Sequence, residues 1–247
     1  LKIDFQGTAL ISQDHQIPFQ DQRVIREVEL FMEELQPDLL IYPGDIGDWY
    51  GISSFDKNPN RADHLQDDLS SVGAMFKRQR ALCPNARMIE EDGNHEDRLR
   101  RFIWRHPGVA GLRDLDLARL MRVEDTWEVL PYKSLVEYAS LLIEHGDLVR
   151  QHAAYTAKAM FEKRGSSGIV GHTHRFGVYT RRDASEEYIY VENGCTCRLD
   201  PEYAPFPNWQ QSFTYVIAYD PHHLCVIPVP ITAQGFRAEG RWYGRKE

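Results

Sequence analysis

The chain has 247 residues, of which 42% are hydrophobic and 27% charged. This is ordinary globular usage and excludes a disordered, collagenous or disulfide-framework protein. With 29 Lys+Arg against 37 Asp+Glu the formal net charge is −8, so the chain is not a bulk, non-specific nucleic-acid coat.

Along the chain, TALIS (8–12) reads as a short apolar strand, and Asp21 to Leu35 as an amphipathic helix. DLLIYP (38–43) is a buried strand ending at Gly44, His64 to Leu82 a helix, ARMIEED (86–92) a third strand, and a further helix begins near His95. Residues 107–135 are mixed and charged and read as an insertion. SLLIEHG (140–146) and GIV (168–170) are strands around a helix at 151–163. VYTRR, EEYIYVEN, FTYVIAYD and HHLCVIPVP continue as β-structure. There is no repeat and no linker, so 1–247 reads as one domain, with helices packed outside two central sheets. No run approaches the roughly 20 apolar residues of a membrane helix, and a membrane partner is not expected. The chain opens LKIDFQG, without initiator Met or signal-peptide pattern, and its start is expected to be trimmed. Cys83, Cys195, Cys197 and Cys225 lack C-x-x-C spacing and read as reduced thiols of a cytoplasmic protein, with Cys195 and Cys197 as packing residues.

Five polar segments each follow an apolar run: DHQIP (14–18), GDIGD (44–48), GNHED (93–97), EHGD (144–147) and GHTH (171–174). Each contains carboxylate, imidazole or amide groups able to ligate a divalent metal. Taken singly, Asp14 reads as a cap, GDIGD as a turn and His145 as a satisfied core histidine. Together, each closing a strand, they offer more oxygen and nitrogen donors than one tetrahedral zinc uses and suit two ions sharing a carboxylate.

The ordered series D-x-Q, GDxxD, GNHE, H-G and GHxH resembles the calcineurin-like metallophosphoesterase superfamily, in the D-x-Q-x-P form of bacteriophage and bacterial members. The resemblance implies a four-layer α/β/β/α sandwich with two central mixed sheets and two metals at the strand carboxyl ends. It implies Asp14, Gln16, Asp45 and His174 around the first metal, with Asp45 bridging to a second completed by Asn94, His145 and His172. His95 is then the proton donor and Asp48 orients it. The usual D-x-H is D-x-Q here. Neighbours on an extended segment point to opposite faces, so Gln16 rather than His15 is expected to share a face with Asp14.

The expected reaction is phosphate-ester hydrolysis by in-line attack of a water activated between two cations about 3.5–4 Å apart. Manganese is the favoured metal, with Fe, Zn, Co or Ni as alternatives. Arg98, at helical spacing after His95, and Arg175, following GHTH, are the weaker candidates for substrate binding. Trp49 and Tyr50 are placed to stack on a base or to pack, and the loop 51–62 and the stretch 107–135 to shape specificity. A phosphodiesterase acting on nucleic acid or nucleotides is the favoured function. The alternatives are a phosphomonoesterase, including a nucleotide or protein phosphatase, and a catalytically inactive binding scaffold.

Overall fold

The computed structural model describes residues 1–3, 7–58, 61, 64–200, 206–220 and 222–245. In chain order the first half contains β1 (Lys2–Ile3), β2 (Gly7–Ile11), α1 (Gln22–Leu35), β3 (Leu39–Pro43), α2 (Leu65–Leu82), β4 (Arg87–Glu91), α3 (Asp97–Arg105), α4 (Leu117–Met121) and β5 (Glu128–Leu130). The second contains β6 (Val136–Tyr138), β7 (Leu141–Glu144), α5 (Tyr155–Arg164), β8 (Gly168–Val170), β9 (Gly177–Arg182), β10 (Glu187–Glu192), β11 (Gln211–Ala218), β12 (Leu224–Ile231), β13 (Gly235–Ala238) and β14 (Arg241–Gly244).

Two six-stranded mixed sheets form the centre, ordered β12-β11-β2-β3-β4-β5 and β1-β6-β7-β8-β10-β9, and β13-β14 is a separate hairpin. Strand alternation explains the layers. In β3, Leu40 and Tyr42 face the core shared with α1 and α2, whereas Leu39 and Ile41 face the second sheet. Ile11 and Ile89 join them there against Val136, Leu141, Ile143, Ile169 and Val191, so the sheets bury one apolar interlayer. On the far face of the second sheet α5 packs Ala157, Met160 and Phe161 against Val170 and Tyr190. The architecture is therefore the four-layer α/β/β/α sandwich.

Helix α1 begins where expected because the Asp21 carboxylate accepts from the Arg23 and Val24 amides, satisfying donors of the first turn. The stretch 107–135 is less peripheral than its charge suggested. Trp127 stacks on Phe76 with ring centroids 4.1 Å apart, and β5 pairs in parallel with β4 as the edge of the first sheet, so residues 128–130 belong to the framework. Short β1, β6 and the β13-β14 hairpin have no counterpart in the elements expected from sequence.

Candidate metal centre

The polar segments converge at the carboxyl ends of β2, β3 and β4 in one sheet and of β7 and β8 in the other, the edge where α/β sheets present ligand-binding loops. The loop after β2 is laid along the loop after β3 by four backbone bonds: Asp14 N to Gly44 O, Gln16 N to Asp45 O, Ile17 N to Ile46 O and, in return, Asp48 N to Ile17 O. Asp14 and Gln16 both have φ 51°. They lie in left-handed backbone, not in the extended segment assumed from sequence. Their shared orientation comes from this latch, not from strand alternation. His15 points the other way: its buried ring lies 5.0 Å from that of Tyr42, and burial, partly opposed by Asp14, lowers its pKa to about 4.

The loop after β3 needs close backbone approach. A Cβ on Gly44, at φ 79°, would come within 2.5 Å of Gly93 Cα, and one on Gly93 within 2.2 Å of Asp45 Oδ1. The two loops are clamped by Glu96. Its buried carboxylate accepts from the amides of Asp45, Ile46, Gly47 and Gly93 and from Trp49 Nε1, all at 2.8–3.1 Å. Nothing in GNHE taken as a motif assigns that role, and five donors on one carboxylate explain it physically. Glu96→Gln sets an NH2 group against these donors. It is expected to cost about 2–4 kcal/mol of stability, read by denaturant titration; a loss below about 1 kcal/mol would mean that other contacts hold the clamp.

Two groups of donors meet at Asp45. One donor atom each from Asp45, His145 and His172 lie within 4.8 Å of one another, as do atoms from Asp14, Asp45 and His174. Asn94 Oδ1 is 3.1 Å from His145 Nε2, and Gln16 Nε2 lies 3.1 Å from Asp45 Oδ2 and 3.4 Å from His174 Nε2. His145 places Nδ1 2.8 Å from Pro43 O; donation to that carbonyl leaves Nε2 with a lone pair facing the cluster. Asp14 Oδ1, Gln16 Oε1 and His172 Nδ1 are buried without a hydrogen-bond partner, a cost that cations would relieve.

The electrostatics agree with a cation site. Burial opposes ionisation of Asp45, but His145, His95 and His172 outweigh it and hold the carboxyl well below the usual range. Burial likewise lowers the pKa of His174, yet Asp14, 3.3 Å away, more than offsets it and the net pKa rises to about 10. A site that draws a proton onto a fully buried imidazole has surplus negative potential for a metal to fill. The donors are carboxylate, amide and imidazole, a set that suits divalent first-row metals.

Beside the cluster, His95 Nδ1 lies 3.2 Å from Asp48 O and 3.3 Å from Asp48 Oδ1, and its Nε2 lies 3.7 Å from Asp45 Oδ2. Arg98 donates to Asp48 and brings its other terminal nitrogen to 3.1 Å from His95 Nε2. Arg61, unmarked by any motif, also binds Asp48, at 3.2 Å. Arg175 is not brought into the cavity; its guanidinium donates to Arg150 O. Trp49 is fully buried on Glu96, so it cannot stack on a ligand, and Arg61 and Lys57 lie over the Tyr50 ring. The packing reading of Cys195 and Cys197 is incomplete: both are buried, but Cys197 Sγ lies 3.6 Å from His174 Nδ1.

A cavity of about 630 Å³ opens over the cluster, lined by Gln16, Asp45, Asn94, His172 and His174 on its floor. Tyr50, Phe55, Arg61, Arg98 and Trp209 form its walls. Part of the expected specificity loop thus faces the site; its residues 59, 60 and 62 lie outside the described residues. Facing the cation, Gln16 would be a weaker donor than imidazole to late transition metals. Gln16→His is expected to raise zinc affinity at one of two sites, and His15→Ala to leave binding unchanged, by calorimetric titration. Loss of a site in His15→Ala but not in Gln16→Ala would assign the contact to His15.

No protein-family model matches the chain. The Gene 54 protein of Mycobacterium phage D29 is 25% identical over 250 residues, covering 94% of this chain and 96% of that protein. Among solved structures, Vacuolar Protein Sorting 29 from Cryptosporidium parvum superposes with a TM-score of 0.51 at 12% identity, covering 94% of this chain and 96% of that one. A dimetal phosphatase from Danio rerio gives 0.45 at 13% identity, over 89% of this chain and 98% of that one.

Proposed function

We propose that this chain, which has the calcineurin-like metallophosphoesterase fold, hydrolyses phosphodiesters of nucleotides or nucleic acid with two divalent metal ions. The observation that carries the reading is the pair of donor groups sharing Asp45, with Gln16 Oε1 and His172 Nδ1 buried without a hydrogen-bond partner. Asp14, Gln16, Asp45 and His174 would hold one ion, and Asp45, Asn94, His145 and His172 the other. When bound, the ions supply an activated water and neutralise charge on the phosphoryl oxygens.

The protein's own groups would then do the rest. Asp48 anchors His95 through Nδ1, which leaves Nε2 to carry a proton toward the departing oxygen. In the neutral ring Nε2 accepts from Arg98; once protonated it cannot, and the Arg98 nitrogen is released toward the cavity. A guanidinium freed there would grip a phosphoryl oxygen. The diester preference rests on space: about 630 Å³ walled by Tyr50, Phe55 and Trp209 has room for substituents on both sides of a phosphate.

The test is to strip the protein with chelator, restore single metals, and assay a bis-aryl phosphodiester beside an aryl phosphomonoester. Chelation is expected to abolish activity, with Mn2+ restoring it better than Mg2+, because imidazole donors suit the former, and the diester is expected to be the faster substrate. Full activity with no metal by elemental analysis would overturn the dinuclear reading. A faster monoester would overturn the diester preference.

A further inference from the structure

A second, smaller cavity of about 150 Å³ adjoins the first and is lined by Ser54, Phe55, Asn94, Arg98, Arg101 and Arg105. Phe55, Asn94 and Arg98 line both, so they form the partition between the two chambers. The three arginines are spaced i, i+3 and i+7, which places them along one face of α3. Among the described residues no carboxylate lines this chamber.

The protein partners of these arginines leave cationic capacity unspent. Arg101 uses Nε on Asp97, a carboxylate that also binds Arg100. Arg105 donates one terminal nitrogen to the carbonyl of Ile52. Each guanidinium has five N–H donors in a fork that matches the oxygens of a phosphate. Lys57 reports the same surplus: burial, then the nearby charges of Arg98, Arg61 and Arg105, lower its pKa, although Asp48 opposes them.

We infer that this chamber is a second phosphate site, in which Arg98, Arg101 and Arg105 bind the phosphate adjacent to the scissile one in an oligonucleotide. The inference rests on the phosphodiesterase reading for the scissile position, but its binding chemistry can be measured separately. A neighbouring phosphate held through Arg98 would fix which ester bond lies over the metal cluster, because Arg98 also contacts Asp48 and His95. The flanking group could be a terminal monoester or an internal diester; both present oxygens to the same fork.

Thymidine 3′,5′-bisphosphate and thymidine 5′-monophosphate are titrated calorimetrically into Mn2+-loaded protein. The dinucleotide TpT, its 5′- and 3′-phosphorylated forms and TpTpT are then compared as substrates. The bisphosphate is expected to bind at least about tenfold tighter than the monophosphate, as charge-assisted contacts warrant. Either a phosphorylated dinucleotide or TpTpT is expected to exceed TpT in kcat/KM by a similar factor; which of them does so identifies a terminal or an internal phosphate. In the double variant Arg101→Gln/Arg105→Gln both ratios are expected to fall toward one, and in Arg101→Lys/Arg105→Lys to recover in part. Equal affinity for the two nucleotides, or a ratio that survives the Gln substitutions, would overturn the second site. An Arg-dependent affinity ratio without hydrolysis of any diester would uphold the site and sink the phosphodiesterase reading.

Discussion

Asp45→Asn is expected to release both metal ions together and to lower kcat/KM by about 10³-fold or more. Metal-ion catalysis contributes several kcal/mol of transition-state stabilisation, and each 1.36 kcal/mol is tenfold. Asp45 is the member common to both donor groups, so its charge would serve two ions at once. The substitution also disturbs the protein scaffold. Oδ1 accepts from the His95 amide at 2.9 Å and Oδ2 from Gln16 Nε2 at 3.1 Å, and an asparagine keeps only one acceptor oxygen for the pair. Asp14→Asn, by contrast, touches one group, and a single ion should be lost. Elemental analysis of the purified variants, beside steady-state assays, separates the two. An Asp45→Asn protein that kept two ions and activity within tenfold would rule out a shared carboxylate.

The framework was readable where the chain follows strong periodicity. Leu39–Pro43 is apolar at every position because alternate residues serve two different cores, and both faces of the strand are covered. The polar ends of such strands were equally visible, since a carboxylate, amide or imidazole directly after an apolar run has no reason of its own to be buried. What the sequence did not reveal is held by non-local contacts. β5 is three residues long and half-buried, and only its pairing with β4 identifies it as a strand. Arg61 sits in a loop with no pattern, and its place depends on Asp48 and Tyr50, which are brought there by the turn after β3.

The first motif shows how two different backbones can present the same face. Strand alternation placed Asp14 and Gln16 together and His15 apart. The backbone achieves this with two left-handed residues and a ladder to the neighbouring loop. Polar periodicity cannot distinguish these routes, because both put i and i+2 on one side. Glu96 is a different case. It was visible as part of GNHE, but a carboxylate in a metal-rich segment invites a ligand role, and only the five converging donors assign it to holding the loops together.

His95→Asn separates metal positioning from proton delivery. The residue lies beside the two donor groups and not within either, so metal content is expected to stay at the wild-type value. Its backbone amide still donates to Asp45 Oδ1, because that bond does not use the side chain. What disappears is an imidazole held through Nδ1 on Asp48 with Nε2 available for a proton. Loss of a general acid lowers kcat by roughly 10²–10⁴ when the leaving group must be protonated, as for an alkoxide leaving from a nucleotide diester. An aryl leaving group departs without that proton, and its rate is expected to fall far less. Plotting log kcat against leaving-group pKa for a series of diesters should therefore give a steeper negative slope in His95→Asn than in the wild type. Parallel lines would assign His95 to binding the phosphoryl group, because a group that only positions the phosphate serves every substrate alike, and its removal lowers all rates by one factor. Asp48→Asn serves as the companion variant. Its backbone carbonyl still accepts from the ring at 3.2 Å, while the carboxylate that contacts the ring at 3.3 Å becomes a neutral amide, so a smaller increase of the same slope is expected.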